Sequence, residues 1–315
     1  MTSAAVDCLA RSERVPDKCT LPTAEHPLRD QREHGRPYRK ETRWPDDPTR
    51  QSSSAGLIKF LANVGADRCL RYVGQERFAG LLCNSHYGDL QFFHSMASTA
   101  TGASDPSTEP FEETRAKMLG WTALAYGVAT GQLSGNAPFC PTVRAFGAAG
   151  AALAPERFAF CGTWTIASLF GQTCRNPLNS RTCRQNNDAE AIRRTAIGAM
   201  LHMIQDSYSR SHAGRGEDAP NGPYERAEVR CAPITAFYRY SVEQKQNHPA
   251  ADLEPVFATS CSTGGSLDPI TPSARMIWLV DHRCHVSWAV DLIDRGVIAN
   301  RATRLPAPEE CRAAV

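Results

Sequence analysis

The stretch HMIQDSYSRSH sets His202, Asp206 and His212 within eleven residues. On a helix His202 and Asp206 lie one turn apart and point the same way. An imidazole and a carboxylate at that spacing can hold one metal ion, as the paired histidines of an H-E-x-x-H helix do. The serine-rich SYSRS is expected to end the helix, so that the chain folds back and brings His212 close. Plain core is a poor alternative, because three ionisable groups would each need a buried partner. A lone histidine on an apolar face is usually an ordinary core residue, and taken alone the motif leaves both readings open.

Four further clusters carry the same residue types. NSHYGDLQFFHSM holds His86, Asp89 and His94, expected on one broad face of a helix beside Leu90 and Phe93. The bland reading is a hydrogen-bonded helix surface. QKQNHPAAD sets His248 and Asp252 four apart, with Pro249 placing His248 at a helix start or in a loop. RWPDDP puts Asp46 and Asp47 in an otherwise arginine-rich arm, where a solvated turn is the simplest reading. DHRCH contributes Asp281, His282 and His285 among Met276, Ile277, Val280, Trp288 and Leu292, and reads as structural. Together the clusters suggest nitrogen and oxygen ligands to more than one zinc-like ion. Metal ions a few ångström apart are the usual equipment for phosphodiester hydrolysis. Asp206 suits a bridging carboxylate, and a neighbouring free carboxylate suits a general base.

The elements that must position these residues are mostly helical. Residues 1–55 are polar and rich in Arg and Pro, and read as an extended arm lying over a domain, or as partly disordered, with the domain itself over 56–315. GLIKFLANVGADRCLRYVG and QERFAGLLCNSHYGDLQFFHSMAST show helical apolar spacing. FEETRAKMLGWTALAYGVATGQL has acids in its first turn, as a helix N-terminus favours. Residues 135–187 read as a loop-heavy insert around one helix near Thr163 to Phe170. NNDAEAIRRTAIGAMLHMIQDSYS is the strongest helix, capped by Asn187 or Asp188, with a stripe of Ile192, Ala196, Ala199, Met200 and Met203. ITAFYRYSV alternates and predicts a short strand. TPSARMIWLVDHRCHVSWAVDLIDRG is expected as a single last helix, with Thr271 as cap and Pro272 in its first turn. The fold class that follows is all-α, with a short β segment possible.

Bulk properties narrow the function. The 315 residues carry a formal net charge of +2, without the basic footprint of a strong phosphate-backbone binder. No apolar run is long enough to span a membrane, and the first twenty residues lack the apolar core of a signal peptide. Twelve cysteines with no C-x-x-C pair argue against a thiolate zinc site or a redox motif of that type. Cys8 with Cys19, Cys69 with Cys83 and Cys174 with Cys183 are close enough in sequence to form disulfide-closed loops, with buried free thiols as the alternative. Disulfides persist in oxidising compartments, so a periplasmic or extracellular location is expected, reached by a signal-independent route or as a mature chain.

HMIQDSYSRSH fits H-x3-D-x5-H, and in that respect resembles the central motif of the zinc-dependent phospholipase C and single-strand nuclease superfamily. RWPDDP, SHYGDLQFFHSMAS, IQDSYSRSHAGR and YSVEQKQNHPAAD, in that order, are similar to a bacterial phospholipase C branch of it. The resemblance runs from about Arg43 to Asp252, roughly two-thirds of the chain. It implies an all-helical fold, two or three zinc ions and a phospholipid substrate met at a membrane surface. It implies that His202 and Asp206 bind one zinc with Asp206 bridging to another, and that His212, His248 and Asp252 bind a further ion. Asp252 stands where the family has Glu. The family completes its cluster with an N-terminal tryptophan and an early histidine, from which this sequence departs. The acids of RWPDDP with His86, Asp89 and His94 are expected in those places, with Asp46, Asp47 or Asp89 as ligand or general base. A single-strand nuclease, with aromatic side chains to stack bases, and a non-catalytic helical interaction protein are the competing readings.

Overall fold

Helix dominates the described residues and follows the apolar periodicity of the sequence. The computed structural model describes residues 1–10, 19, 38, 41–46, 78–98, 108–153, 161–174, 183–209, 211–216, 232–239 and 269–312. In chain order come α1 (Thr2–Ala10), α2 (Phe78–Tyr87), a 3-10 turn (Gln91–His94), α3 (Phe111–Ala129), α4 (Phe139–Arg144), α5 (Ala148–Ala152) and α6 (Ile166–Phe170). Then follow strands β1 (Gln172–Cys174) and β2 (Cys183–Gln185), helix α7 (Ala189–Asp206), and strands β3 (Ala213–Arg215) and β4 (Ile234–Phe237). The chain continues through α8 (Ile270–Asp281), α9 (Val286–Asp291), a π-helical turn (Leu292–Ile298) and α10 (Pro308–Arg312).

Helices α3 and α7 pack on each other at the centre. In α7, Asp188 caps the N-terminus by accepting from Glu190 N at 3.0 Å, and the whole stripe of Ile192, Ala196, Ala199, Met200 and Met203 is buried. Around these two pack the 3-10 turn, α8 and α9, while α1 lies against α8. Helix α3 opens with Glu112 and Glu113, which suit its positive N-terminal dipole. Its buried Lys117 is satisfied by Glu109, and by Glu113 at 3.2 Å.

Tyr126 of α3 buttons the helix to the end of α8, its hydroxyl 2.8 Å from both the Leu279 and the Cys284 carbonyls. Tyr126→Phe leaves the Cys284 carbonyl buried without that donor, so urea unfolding should show a loss of about 1–3 kcal/mol. A midpoint equal to that of the parent protein would show that this link adds nothing.

Two small antiparallel sheets complete the fold. The strand expected in ITAFYRYSV is β4, paired with β3 in the register Ala213↔Phe237 and Gly214↔Ala236. Strands β1 and β2 were not expected, and the 135–187 segment holds three short helices in its described part rather than one.

The structure departs from expectation in three further places. The described part of the N-terminal arm is not extended. Thr2–Ala10 is helical, with Ala4 and Ala5 buried, and Glu41, Thr42 and Trp44 are buried too. The last helix is not continuous. It breaks at Arg283, which takes a left-handed conformation (φ 50°), and restarts after His285, whose side chain caps α9 by accepting from Ser287 N. Thr271 does not cap α8 either; its hydroxyl accepts from Cys19 N at 3.0 Å.

The expected disulfide Cys8–Cys19 forms. Cys183 is disulfide-bonded and stands opposite Cys174 in the β1–β2 register. Cys83 is disulfide-bonded as well, and its expected partner Cys69 lies outside the described residues. Cys140–Cys161 and Cys284–Cys311 add two crosslinks that short-range spacing did not suggest. No cysteine among the described residues is free. Crosslinks of this number belong to proteins of oxidising compartments. No helix among the described residues is long and apolar enough to cross a membrane.

Candidate metal centre

Four separate pieces of chain deliver polar side chains to one point. Helix α7 supplies His202 and Asp206 on one face at its C-terminal end, with His202 Nε2 2.9 Å from Asp206 Oδ2. The 3-10 turn ends on His94, whose Nδ1 lies 3.1 Å from the same carboxylate oxygen and 2.9 Å from His202 Nε2. Ser95 fixes that turn: it takes a left-handed conformation (φ 52°), and its hydroxyl donates to the Met203 carbonyl of α7 at 2.7 Å. The arm supplies Asp46, whose Oδ1 is 3.7 Å from His202 Nε2 and 3.9 Å from His94 Nδ1.

His212 returns from the break after α7, as its serine-rich sequence predicts. Ser209 N donates to the Asp206 carbonyl at 2.8 Å and His212 N to the Ser209 carbonyl at 3.1 Å, turning the chain back. His212 Nδ1 donates to the His94 carbonyl at 2.6 Å and lies 3.4 Å from Asp206 Oδ2. A carbonyl can only accept, so Nδ1 carries a proton and the neutral ring presents its lone pair at Nε2. Strand β4 then holds this loop, because Tyr238 N donates to the His212 carbonyl and Ala97 N donates to the Tyr238 carbonyl.

Asp46, His94 and His202 form the group of donors among the described residues that could hold a metal ion, their ligand atoms lying within 4.8 Å of one another. One observation supports the fit. A tetrahedral ion with ligands at about 2.0–2.1 Å sets its donor atoms roughly 3.3 Å apart. The separations here, between 2.9 and 3.9 Å, bracket that value. His94 Nε2, across the ring from the donor Nδ1, is buried with no hydrogen-bond partner among the described residues.

Electrostatics agree with the geometry. Burial alone would raise the Asp206 carboxyl, but the adjacent imidazoles of His202 and His212 outweigh it and hold the group well below the usual carboxylate range. The donors differ in accessibility: the His94 side chain is 8% exposed and that of Asp46 41%. The centre therefore opens to solvent on the Asp46 side.

What holds Asp46 there is Trp44, two residues earlier, a residue that the sequence reading did not single out. Its ring is 1% exposed and stacks on Trp121 of α3 with centroids 6.0 Å apart, against Phe93 at 5.4 Å and Phe170 at 5.2 Å. Gly198 of α7 allows the arm to come this close, since a Cβ there would collide with the Glu41 backbone. Glu41 also accepts from the Thr195 hydroxyl at 3.2 Å. A tryptophan beside paired acids in a polar arm was the available signal.

The second cluster is not one helical face. Helix α2 ends at Tyr87, because Asn84 captures the chain: its carbonyl accepts from Gly88 N and Leu90 N, and its side-chain oxygen accepts from Asp89 N at 2.7 Å. A Cβ at Gly88 would collide with that side chain. His94 reaches the centre by this detour. His86 comes near it, its ring centroid 5.1 Å from that of His94, while its Nδ1 lies 2.9 Å from the Ser85 hydroxyl. The Asp89 carboxylate makes no ion pair or hydrogen bond among the described residues and is not part of the donor group. Asp47, His248 and Asp252 lie outside the described residues. His282 stacks on Trp278, with centroids 4.1 Å apart, and His285 caps α9, the structural roles expected of both.

The chain matches no protein-family model, no curated protein and no solved structure.

Proposed function

We propose that this chain is a metal-dependent phosphodiesterase of the zinc-dependent phospholipase C type. It would cleave the glycerol-side phosphodiester of a phospholipid to diacylglycerol and a phosphorylated head group. The observation that supports this reading is the convergence of Asp46, His94 and His202 on Asp206, the acid of the H-x3-D-x5-H motif. Imidazole and carboxylate donors without thiolates suit zinc. His86, His212, His248 and Asp252 are the residues available for a second or third ion.

Zinc-type ions, when bound, hold phosphate oxygens, lower the pKa of water and stabilise the leaving oxygen. The protein's own residues supply the rest. Asp206 gathers the donor nitrogens of His94 and His202 at one carboxylate oxygen, with His212 Nδ1 3.4 Å from it, and the His94 turn is held by the Ser95–Met203 bond. Asp46 stands at ligand range of both donor nitrogens, which favours it as a ligand and leaves Asp47 or Asp89 as the group that takes the proton from water. Solvent reaches the centre beside Asp46, so the phosphodiester would enter from that side.

The test is metal analysis of the purified, oxidised protein, followed by assays on phosphatidylcholine vesicles and on single-stranded DNA, each with and without chelator. The expected result is bound zinc and chelator-sensitive release of diacylglycerol. Protein that carries no metal and turns over neither substrate sinks the enzyme reading. DNA cleavage alone replaces the lipase with a nuclease, and iron in place of zinc overturns the choice of ion.

A further inference from the structure

We infer that the N-terminal arm is a strap that delivers Asp46 to the metal centre, and that the Cys8–Cys19 disulfide is its latch, so that the centre holds an ion more tightly in the oxidised chain. The inference rests on Asp46 being a metal ligand and adds a redox control over when that ligand arrives.

The connection can be followed bond by bond. Helix α1 lies on α8 with Ala4 and Ala5 buried and Val6 and Leu9 packed partly buried against the core, and a helix of nine residues is marginal without such tertiary support. The disulfide ties the end of that helix to Cys19, whose backbone N–H donates to the Thr271 hydroxyl at the start of α8. The other end of α1 is fixed at Thr2. There the hydroxyl accepts from Gln205 Nε2 of α7 at 2.9 Å and lies 3.2 Å from the Thr42 hydroxyl. Thr42 in turn donates to the Tyr38 carbonyl at 2.7 Å. From Thr42 the chain runs through buried Trp44 to Asp46. Gln205 and Asp206 are neighbours on α7, so one helix end carries both the anchor of the strap and the ligand that its tip must meet.

Two features make this a latch rather than general reinforcement. Cys8–Cys19 closes a loop of 11 residues lying wholly within the arm, whereas Cys140–Cys161 and Cys284–Cys311 crosslink other parts of the fold. The donors His94, His202 and Asp206 all belong to segments packed in the α3–α7 core. Asp46 alone comes from the arm, where Trp44 packs its segment against that core and the Thr2–Thr42 contact links it to the helix that the disulfide restrains. Opening the disulfide widens the ensemble open to the arm, and lowers the fraction of molecules with Asp46 in place.

The experiment measures zinc affinity by chelator competition for the parent protein, Asp46→Asn, Cys8→Ser/Cys19→Ser, and the combination of all three. Substitution is used because a reductant would open the other disulfides as well. Near-ultraviolet circular dichroism establishes that each variant keeps its core. The expected result is a loss of about 10- to 100-fold in affinity, the range for groups that support a metal site, in both Asp46→Asn and the double-serine variant. The combination should lose no more than either alone, because both remove the same ligand, and excess zinc should restore activity to the double-serine variant. Parent-like affinity in Cys8→Ser/Cys19→Ser alongside a weakened Asp46→Asn overturns the latch. Losses that multiply in the combination overturn it too, since the disulfide would then act elsewhere. Parent-like affinity in Asp46→Asn instead refutes the ligand assignment on which the inference rests, and the strap with it.

Discussion

Asp206→Asn should abolish metal retention together with the proposed phosphatidylcholine hydrolysis. The substitution keeps the size of the side chain and removes its charge. In the parent protein one oxygen of Asp206 faces three imidazoles, at 2.9 Å from His202, 3.1 Å from His94 and 3.4 Å from His212. An amide in that place offers a weak neutral acceptor or, flipped, a donor where the ring nitrogens need an acceptor. Residues that only support metal ligands commonly cost 10–100-fold when lost, so a loss beyond about 100-fold in zinc affinity is expected here. Metal content and diacylglycerol release read the result, and parent-like turnover in this variant would refute the central role of Asp206. The same carboxylate sets an acid limit on the metal-free protein. Its folded pKa is depressed, so its contribution is fully present above the unfolded value of about 3.9. That stabilisation is lost as pH falls through the lower folded value. The asparagine variant should lack this component of the acid transition.

Trp44→Ala should produce the largest loss of stability of any single change in the arm, about 3–5 kcal/mol for removing a buried tryptophan. The ring is buried against Phe93, Trp121 and Phe170, themselves buried, so its removal leaves a cavity among large rings. Its effect reaches the metal through Phe93, the neighbour of His94, and through Asp46 two residues on. Denaturant unfolding of the oxidised protein should therefore show the stability loss, with weaker zinc retention alongside. Trp44→Phe, which keeps much of the contact, should recover most of both. A cost below about 1 kcal/mol for the alanine would show that the arm is not part of the core. Gly198→Ala is a companion change from the opposite side, pressing a methyl group against the Glu41 backbone.

Local rules made the elements around this centre legible and left their meetings unreadable. The helix of residues 189–206 announced itself through Asp188 and its apolar stripe, and β4 through strict alternation. The turn after Asp206 was readable from serines that compete for backbone hydrogen bonds. The break between His86 and His94 was not, because it depends on Asn84 capturing three backbone N–H groups, a choice that helical spacing of apolar residues conceals. The interruption at Arg283 was missed for a similar reason, since neither Gly nor Pro marks it. Harder still was the docking of the arm. Arg- and Pro-rich composition suggested an extended arm lying over the domain or partly disordered, and did not show that residues 41–44 pack into it through Trp44 and against Gly198. Disulfides were readable when the partners were close in sequence. Cys284–Cys311, 27 residues apart, gave no such hint.

The sequence distances within the centre bear on when the ion can arrive. His94 meets His202 across 108 residues and Asp206 across 112, and Asp46 joins from the far end of the chain. No local fragment brings Asp46, His94 and His202 together, so an incompletely folded chain offers only part of that donor group. Closing such long loops comes late in folding. An ion held by this donor group would thus be the last component added, and the compartment where folding ends would decide which metal it is. A chain carried through a membrane unfolded would draw its ion from the far side, whatever the metal supply where it was made.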